Sequence, residues 1–121
     1  MLNIRQGVMA LQNLSGVVFE PGDIVQLDPA NAQAVIKSNG VSPFGMVTNV
    51  ISNTNTVLVQ YDRFCASTDR FESDGYYQTN SLLYASVNGL LTTTQINNYP
   101  AVGMVTQSPS TVDPHLYFMW Y

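Results

Sequence analysis

Slid against itself by 58 residues, this chain of 121 residues places Gly45-Met46-Val47-Thr48 on Gly103-Met104-Val105-Thr106 without a mismatch. The same offset, with no gap, sets Asp23-Ile24-Val25-Gln26-Leu27 against Ser81-Leu82-Leu83-Tyr84-Ala85, and Val57-Leu58-Val59 against His115-Leu116-Tyr117. A gapless match in apolar pattern over about 40 residues marks a duplicated supersecondary unit. Each copy must be something so short a segment can build, which points to three or four short strands.

Turn residues punctuate the chain to the same effect. Pro21-Gly22, Asp28-Pro29, Asn39-Gly40, Asn53 to Asn55, Asp74-Gly75, Asn88-Gly89, Asn97-Asn98, Ser108-Pro109 and Asp113-Pro114 separate short β-rich runs. Those runs are Val17 to Phe19, Ile24 to Leu27, Phe44 to Val50, Val57 to Tyr61, Leu82 to Tyr84, Val102 to Thr106 and Leu116 to Tyr121. Short strands at even spacing read as an all-β barrel or sandwich. Asn39-Gly40 and Asn88-Gly89 are the strongest turn signals, because both residue types tolerate positive φ. Two segments compete as helices: Asn3 to Leu14, with apolar residues at helical spacing, and Asp28 to Lys37, with Asp28 as a cap and Pro29 at the first position. The repeat aligns Ala32 to Ile36 with Leu90 to Thr94, a run ending in three threonines, which favours strand for Gln33 to Ile36 after a turn.

The expected organisation is a small barrel or sandwich of short antiparallel strands made from two related units, approximately residues 22–61 and 80–119. Their free edges would pair to close one barrel about a pseudo-twofold axis. Residues 17–121 then form a single β-barrel domain, residues 62–79 link the units, and residues 1–16 are an N-terminal arm, of which deletion of residues 1–12 should leave the barrel folded.

Composition narrows the function. Charged residues make up 10% of the chain, with 4 Lys plus Arg against 8 Asp plus Glu. Ser, Thr, Asn and Gln supply about a third of it. Four dispersed cations on an acidic chain argue against direct nucleic-acid binding, whose affinity comes mostly from neutralising phosphates. No apolar stretch reaches the roughly 20 residues that span a bilayer, so no membrane partner is expected. No secretory signal is visible at the N-terminus, so synthesis in a cytoplasm is expected. One cysteine, Cys65, and one histidine, His115, exclude a disulfide framework and paired-histidine or multi-thiolate metal sites.

Little of the remaining chemistry is organised for catalysis, and neither cofactor nor metal is expected. His115 follows Asp113-Pro114 in a turn where Asp113 caps the backbone, with no nucleophile motif nearby. Asp69, Glu72 and Asp74 form the one acidic cluster, but their spacing is not that of a calcium loop and Arg70 sits among them, so a solvated linker is the simpler reading. Cys65 reads as a small buried or half-buried apolar residue. Tyr76, Tyr77, Tyr84 and Tyr99 are the candidates for an aromatic ligand site. Two segments ask for a partner or a core. The arm carries Leu2, Ile4, Val8, Met9, Leu11 and Leu14 outside the repeat, and either docks on a neighbour or folds over its own barrel. Leu116-Tyr117-Phe118-Met119-Trp120-Tyr121 is bulky on both faces, so it is either a fully covered core strand or one that also carries subunit contact through Tyr117, Trp120 and Tyr121.

A family resemblance rests on Asn13-Leu14-Ser15-Gly16, Pro21-Gly22-Asp23-Ile24-Val25 and Phe44-Gly45-Met46-Val47. Its second half is Ser81 to Ser86, Gly89-Leu90-Leu91-Thr92, Val102-Gly103-Met104-Val105 and the aromatic last strand. Together these resemble the small β-barrel head-decoration, or cement, proteins of tailed bacteriophages. The resemblance implies a non-enzymatic virion protein, made in the host bacterial cytoplasm. It would bind the major capsid protein on the outer capsid surface and stabilise the shell as a homo-oligomer, with a trimer favoured and the N-terminal arm making the capsid contact. Two alternatives remain beside it: another virion β domain (head-fibre base, head-completion or tail-associated protein) and a small ligand-binding β-barrel.

Overall fold

The computed structural model describes residue 2, residues 7–73 and residues 75–121. They form ten strands and no helix: β1 (Val8–Gln12), β2 (Ile24–Leu27), β3 (Val35–Lys37), β4 (Gly45–Val50), β5 (Thr56–Gln60), β6 (Phe64–Thr68), β7 (Leu82–Ala85), β8 (Leu91–Thr92), β9 (Gly103–Gln107) and β10 (Leu116–Trp120). The strands make two five-stranded antiparallel sheets, ordered β1-β5-β4-β2-β3 and β6-β10-β9-β7-β8. Adding five to each label of the first order gives the second. The protein is all-β, and its architecture is one strand arrangement used twice.

Pairing registers carry the repeat to single residues. Ile24 faces Met46 and Val25 faces Gly45, as Leu82 faces Met104 and Leu83 faces Gly103. The ladder between β4 and β5 breaks between Val47 and Asn49, so Thr48 is the extra residue. The ladder between β9 and β10 breaks where Gln107 follows Val105, so Thr106 is the extra residue there. The identical tetrapeptide therefore has a structural reason. A Cβ on Gly45 would stand 2.6 Å from the Gln60 carbonyl oxygen, and one on Gly103 would stand 2.2 Å from that of Met119. Glycine lets the neighbouring strand approach, valine fills the core, and threonine sits at the bulge that bends each strand.

Each sheet has its own apolar cluster. The first holds Leu11, Phe19, Val25, Val35, Val47, Val57 and Val59. The second holds Tyr77, Leu83, Leu91, Val105, Leu116, Phe118 and Trp120, and takes in Ile24 and Met46 from the first sheet. Each sheet also curls until its edges meet at one parallel bridge, Gln12 with Ala34 and Phe71 with Leu91. Among the described residues no ladder joins the two sheets. The units thus bend their own edges together, and the expected edge-to-edge closure into one barrel is replaced by packing of one unit's face on the other's core.

The largest departure from the sequence reading lies in the arm and the linker. Residues 8–12 are β1, paired along β5 with Leu11 opposite Val57 and buried in the first core. Residues 64–68 are β6, paired along β10 in the same way. Both are the first strand of their unit. Val8, Leu11 and Leu14 fall at helical spacing by coincidence, while the alternation of Val8, Ala10 and Gln12 outward with Met9 and Leu11 inward is what the sheet uses. The second helix candidate is a turn. Asp28 Oδ1 accepts the Ala30 N–H at 2.9 Å and its Oδ2 accepts from Asn31 Nδ2 at 3.0 Å, after which Gln33 has φ 56° and β3 begins. Gly40 and Gly89 do take positive φ, 95° and 72°.

Polar groups join the units. Asp23 is fully buried, and its Oδ1 accepts from Arg70 Nη2 at 2.5 Å, with Lys37 Nζ at 3.7 Å. Its Oδ2 accepts the Glu20 N–H at 2.8 Å, and Arg70 also pairs with Glu20. Gly89, in the turn between β7 and β8, gives its carbonyl to the Ile24 N–H at 2.8 Å. A Cβ at Gly89 would meet the Ile24 and Ser38 carbonyls at 3.1 Å, so this turn needs glycine for its approach as well as its φ.

Candidate functional site

Chemistry-bearing side chains are mostly spent on local structure. Asp113 Oδ1 lies 2.9 Å from His115 Nδ1 and accepts the His115 N–H at 3.2 Å, while Oδ2 accepts from the Tyr117 hydroxyl at 2.8 Å. Asp113 caps the turn as expected. These hydrogen bonds, from Tyr117 first and then His115, hold the Asp113 carboxyl below its ordinary value, and Asp113 in turn raises the Tyr117 hydroxyl. Of the acidic cluster, Glu72 Oε1 accepts from Ser86 Oγ at 2.7 Å and Asn88 Nδ2 at 3.0 Å, clasping the turn that presents Gly89. Asp74 lies outside the described residues, among which no group of three or more acidic, histidine or cysteine side chains could hold a metal ion. Cys65, expected to be buried or half-buried, is instead exposed, because the alternation of β6 turns it to the outer face.

The four candidate tyrosines do not converge. Tyr77 is buried, donating to the Glu72 carbonyl at 2.6 Å and standing 3.2 Å from that of Leu91, with its ring edge-on to Phe71. Tyr76 is exposed beside it, Tyr84 points from the outer face of β7, and Tyr99 lines a separate cleft. That cleft, about 310 Å³, is walled by Ser42, Pro43, Phe44 and Tyr61 from the first unit and by Tyr99 to Val102, Trp120 and Tyr121 from the second. Phe44 stacks on Tyr61 with ring centres 5.5 Å apart, and Trp120 stacks on Phe64 at 5.7 Å. Its walls are equivalent segments, since Ser42-Pro43-Phe44 and Pro100-Ala101-Val102 precede the two Gly-Met-Val-Thr stretches. The 58-residue offset held this cleft all along, but nothing in a single segment flags it.

The interface candidates divide. Leu11 and Trp120 are core residues and offer no surface, and Met9 packs half-buried against the first core. Ile4 lies outside the described residues. Tyr117 is half-buried, while Leu2, Val8 and Tyr121 are exposed. The more prominent apolar surface joins Leu14 of the expected arm to Val17 and Val18, which the sequence reads as a β-rich run and the structure leaves as loop. Leu14, Val17 and Val18 are exposed in the loop between β1 and β2, with Val18 80% open, around a hollow of about 470 Å³ bounded by Val50 and Thr54. The corresponding place in the second unit holds Tyr76, 76% open, beside a hollow bounded by Phe71, Ser108 and Pro109. Val18 and Tyr76 are 58 residues apart, as are the buried Phe19 and Tyr77 that follow them.

Large apolar groups set among amides and hydroxyls suit binding to a protein surface more than chemistry on a substrate. Neither protein-family models nor curated protein sequences match this chain.

Proposed function

We propose that this chain is a non-enzymatic structural protein of a phage virion, which binds the outer surface of the capsid and stabilises it. The observation that carries the reading is the exposed apolar content of the start of the chain: Leu2, Val8, Leu14, Val17 and Val18 are all open, and residues 7–19 contain no charged side chain. The resemblance to head-decoration proteins places the capsid contact at this end of the chain. Here that contact would be a loop and the outer side of β1, held in place by a sheet. The partner is the major capsid protein, the location is the virion after synthesis in the host bacterial cytoplasm, and the protein works as a homo-oligomer, with a trimer favoured.

Decoration works by mass action. A protein that binds only the assembled lattice stabilises that lattice in proportion to its occupancy, and many weak contacts suffice. Few charges limit repulsion between neighbouring copies.

Co-sedimentation with undecorated mature heads tests the reading, with bound copies counted per capsid subunit. Saturable binding at a fixed lattice ratio, weakened at least tenfold by Val17→Asp with Val18→Asp, is the expected result. A few copies per particle would make it a vertex, portal or tail part, and no binding would overturn the proposal. The aromatic cleft supports a second reading as a small ligand-binding barrel. Trp120 lines that cleft and is the chain's one tryptophan, so a saturable change in its fluorescence with added saccharides would favour that reading.

A further inference from the structure

Directly opposed residues on neighbouring strands share one face of a sheet. In the first sheet Ile24, Met46, Gln60 and Val8 stand in a row across β2, β4, β5 and β1. The corresponding row of the second sheet is Leu82, Met104, Met119 and Cys65, across β7, β9, β10 and β6. The two rows meet different fates. Ile24 and Met46, 0% and 4% exposed, are packed into the second unit's core. Leu82 is 46% exposed, Met104 and Met119 are half-buried, and Cys65 is exposed.

We propose that this open row is where a second copy of the chain docks. The repeat identifies the occupant: at Ile24 and Met46 the same face in the other half of the molecule is already covered by a β unit of this fold, while Gln60 is half-buried and Val8 stays 46% exposed. The row spans three strand spacings, about 14 Å, and contains no charged side chain, so two copies can meet without desolvating an ion. Its two thioethers are unbranched and adapt their shape to an opposing surface. Tyr84 and Tyr117, two residues along their strands from Leu82 and Met119, flank it with the kind of side chain that anchors interfaces. The charged or titratable groups that border it in the chain are Arg63 and Asp62, two and three residues before Cys65, the terminal carboxylate of Tyr121, two residues after Met119, and Asp69, His115 and Asp113 beyond Thr68 and Tyr117. The inference needs no capsid and holds or fails independently of the capsid reading.

Sedimentation velocity of the purified protein, from dilute to concentrated, provides the test. The wild type is expected to gain mass with concentration beyond the 13.3 kDa of one chain. Met104→Lys should hold it at monomer mass with an unchanged far-ultraviolet spectrum, and Val18→Lys, on the other apolar surface, should leave association intact. A probe without mutation runs alongside: maleimide labelling of Cys65 in the wild type should slow severalfold as concentration rises. A wild type that stays monomeric throughout would overturn the inference. So would association that Met104→Lys leaves in place with Cys65 labelling unslowed.

Discussion

Ile24 and Leu82 occupy one position in two copies of the same sheet, yet one is sealed and the other stands half in solvent. The first copy's outer face has become part of the second copy's core at Ile24 and Met46, while the corresponding Leu82 and Met104 of the second copy have no such cover within the chain. Duplication therefore supplied two equal folds and unequal surfaces. Polar residues record the same divergence. Asp23, at the position of Ser81, is buried and tied to Arg70 across the junction. Leu11 fills the first core where β6 carries Thr68, whose hydroxyl accepts the Arg70 N–H at 3.0 Å.

The largest expected effect comes from removing residues 1–12. If β1 is an integral strand, truncation deletes the ladder to β5 and the buried Leu11, and should destabilise the first sheet by on the order of 5 kcal/mol, since a buried leucine alone is worth 2–5. Urea unfolding would then show an early transition, whereas an intact unfolding curve would return these residues to the role of a detachable arm.

Next come the paired glycines. Gly45→Ala and Gly103→Ala each force a Cβ into a neighbouring carbonyl, and each should cost roughly 2–3 kcal/mol, as overpacking does. Gly103→Ala should be the worse, given its closer approach. Equal thermal midpoints for wild type and both variants would break the structural equivalence of the two tetrapeptides.

Arg70→Ala should cost about 2 kcal/mol at neutral pH, because it leaves the buried Asp23 carboxylate with the Glu20 N–H and the more distant Lys37 ammonium as its partners. Burial pushes the Asp23 carboxyl above its ordinary value of 3.8, against the opposing pull of Lys37. A carboxyl raised in this way favours the folded state most when protonated, an advantage lost as pH rises through its folded value. The penalty of Arg70→Ala should therefore shrink as pH falls toward that value, which thermal melts over an acid series would show. A penalty that does not vary with pH would remove Asp23 from the account of the junction.

The smallest effect belongs to Asp113→Asn. Asp113 titrates below its ordinary value, so its contribution is present above pH 3.8 and disappears as pH falls through the depressed folded value. The variant should lower the melting temperature slightly at neutral pH and not in strong acid. It should also bring the Tyr117 hydroxyl back toward its ordinary value of 10, read by absorbance in alkali.

Six of the ten strands were legible as β-rich runs between turn residues, because β2, β4, β5, β7, β9 and β10 carry branched or aromatic side chains flanked by Gly, Pro or Asn. The fold class followed from them. The others were hidden for physical reasons. In β1, Met9 and Leu11 alternate inward, but Val8 and Leu14 add a helical rhythm. In β6, Phe64-Cys65-Ala66-Ser67-Thr68 has one large residue and is bracketed by Asp62-Arg63 and Asp69-Arg70, so it reads as a solvated linker. β3 is legible only through the repeat, which favours strand for Gln33 to Ile36 where the structure has Val35–Lys37, and β8 is too short to announce itself. With the first strand of each unit missing, the units looked too small to have separate cores, and a shared barrel was the natural expectation. The surfaces were less legible still. Whether Met46 or Met104 faces solvent depends on how the units pack, and the two residues sit in identical tetrapeptides.

That identity allows a direct test of the unequal surfaces. Mild peroxide oxidation, read residue by residue by mass spectrometry, compares Met46 with Met104 in one sample. In dilute protein Met104 should oxidise at least tenfold faster than Met46, and the gap should narrow as concentration rises and a second copy covers Met104. Equal rates at every concentration would contradict the account, because the two faces would then be equally open.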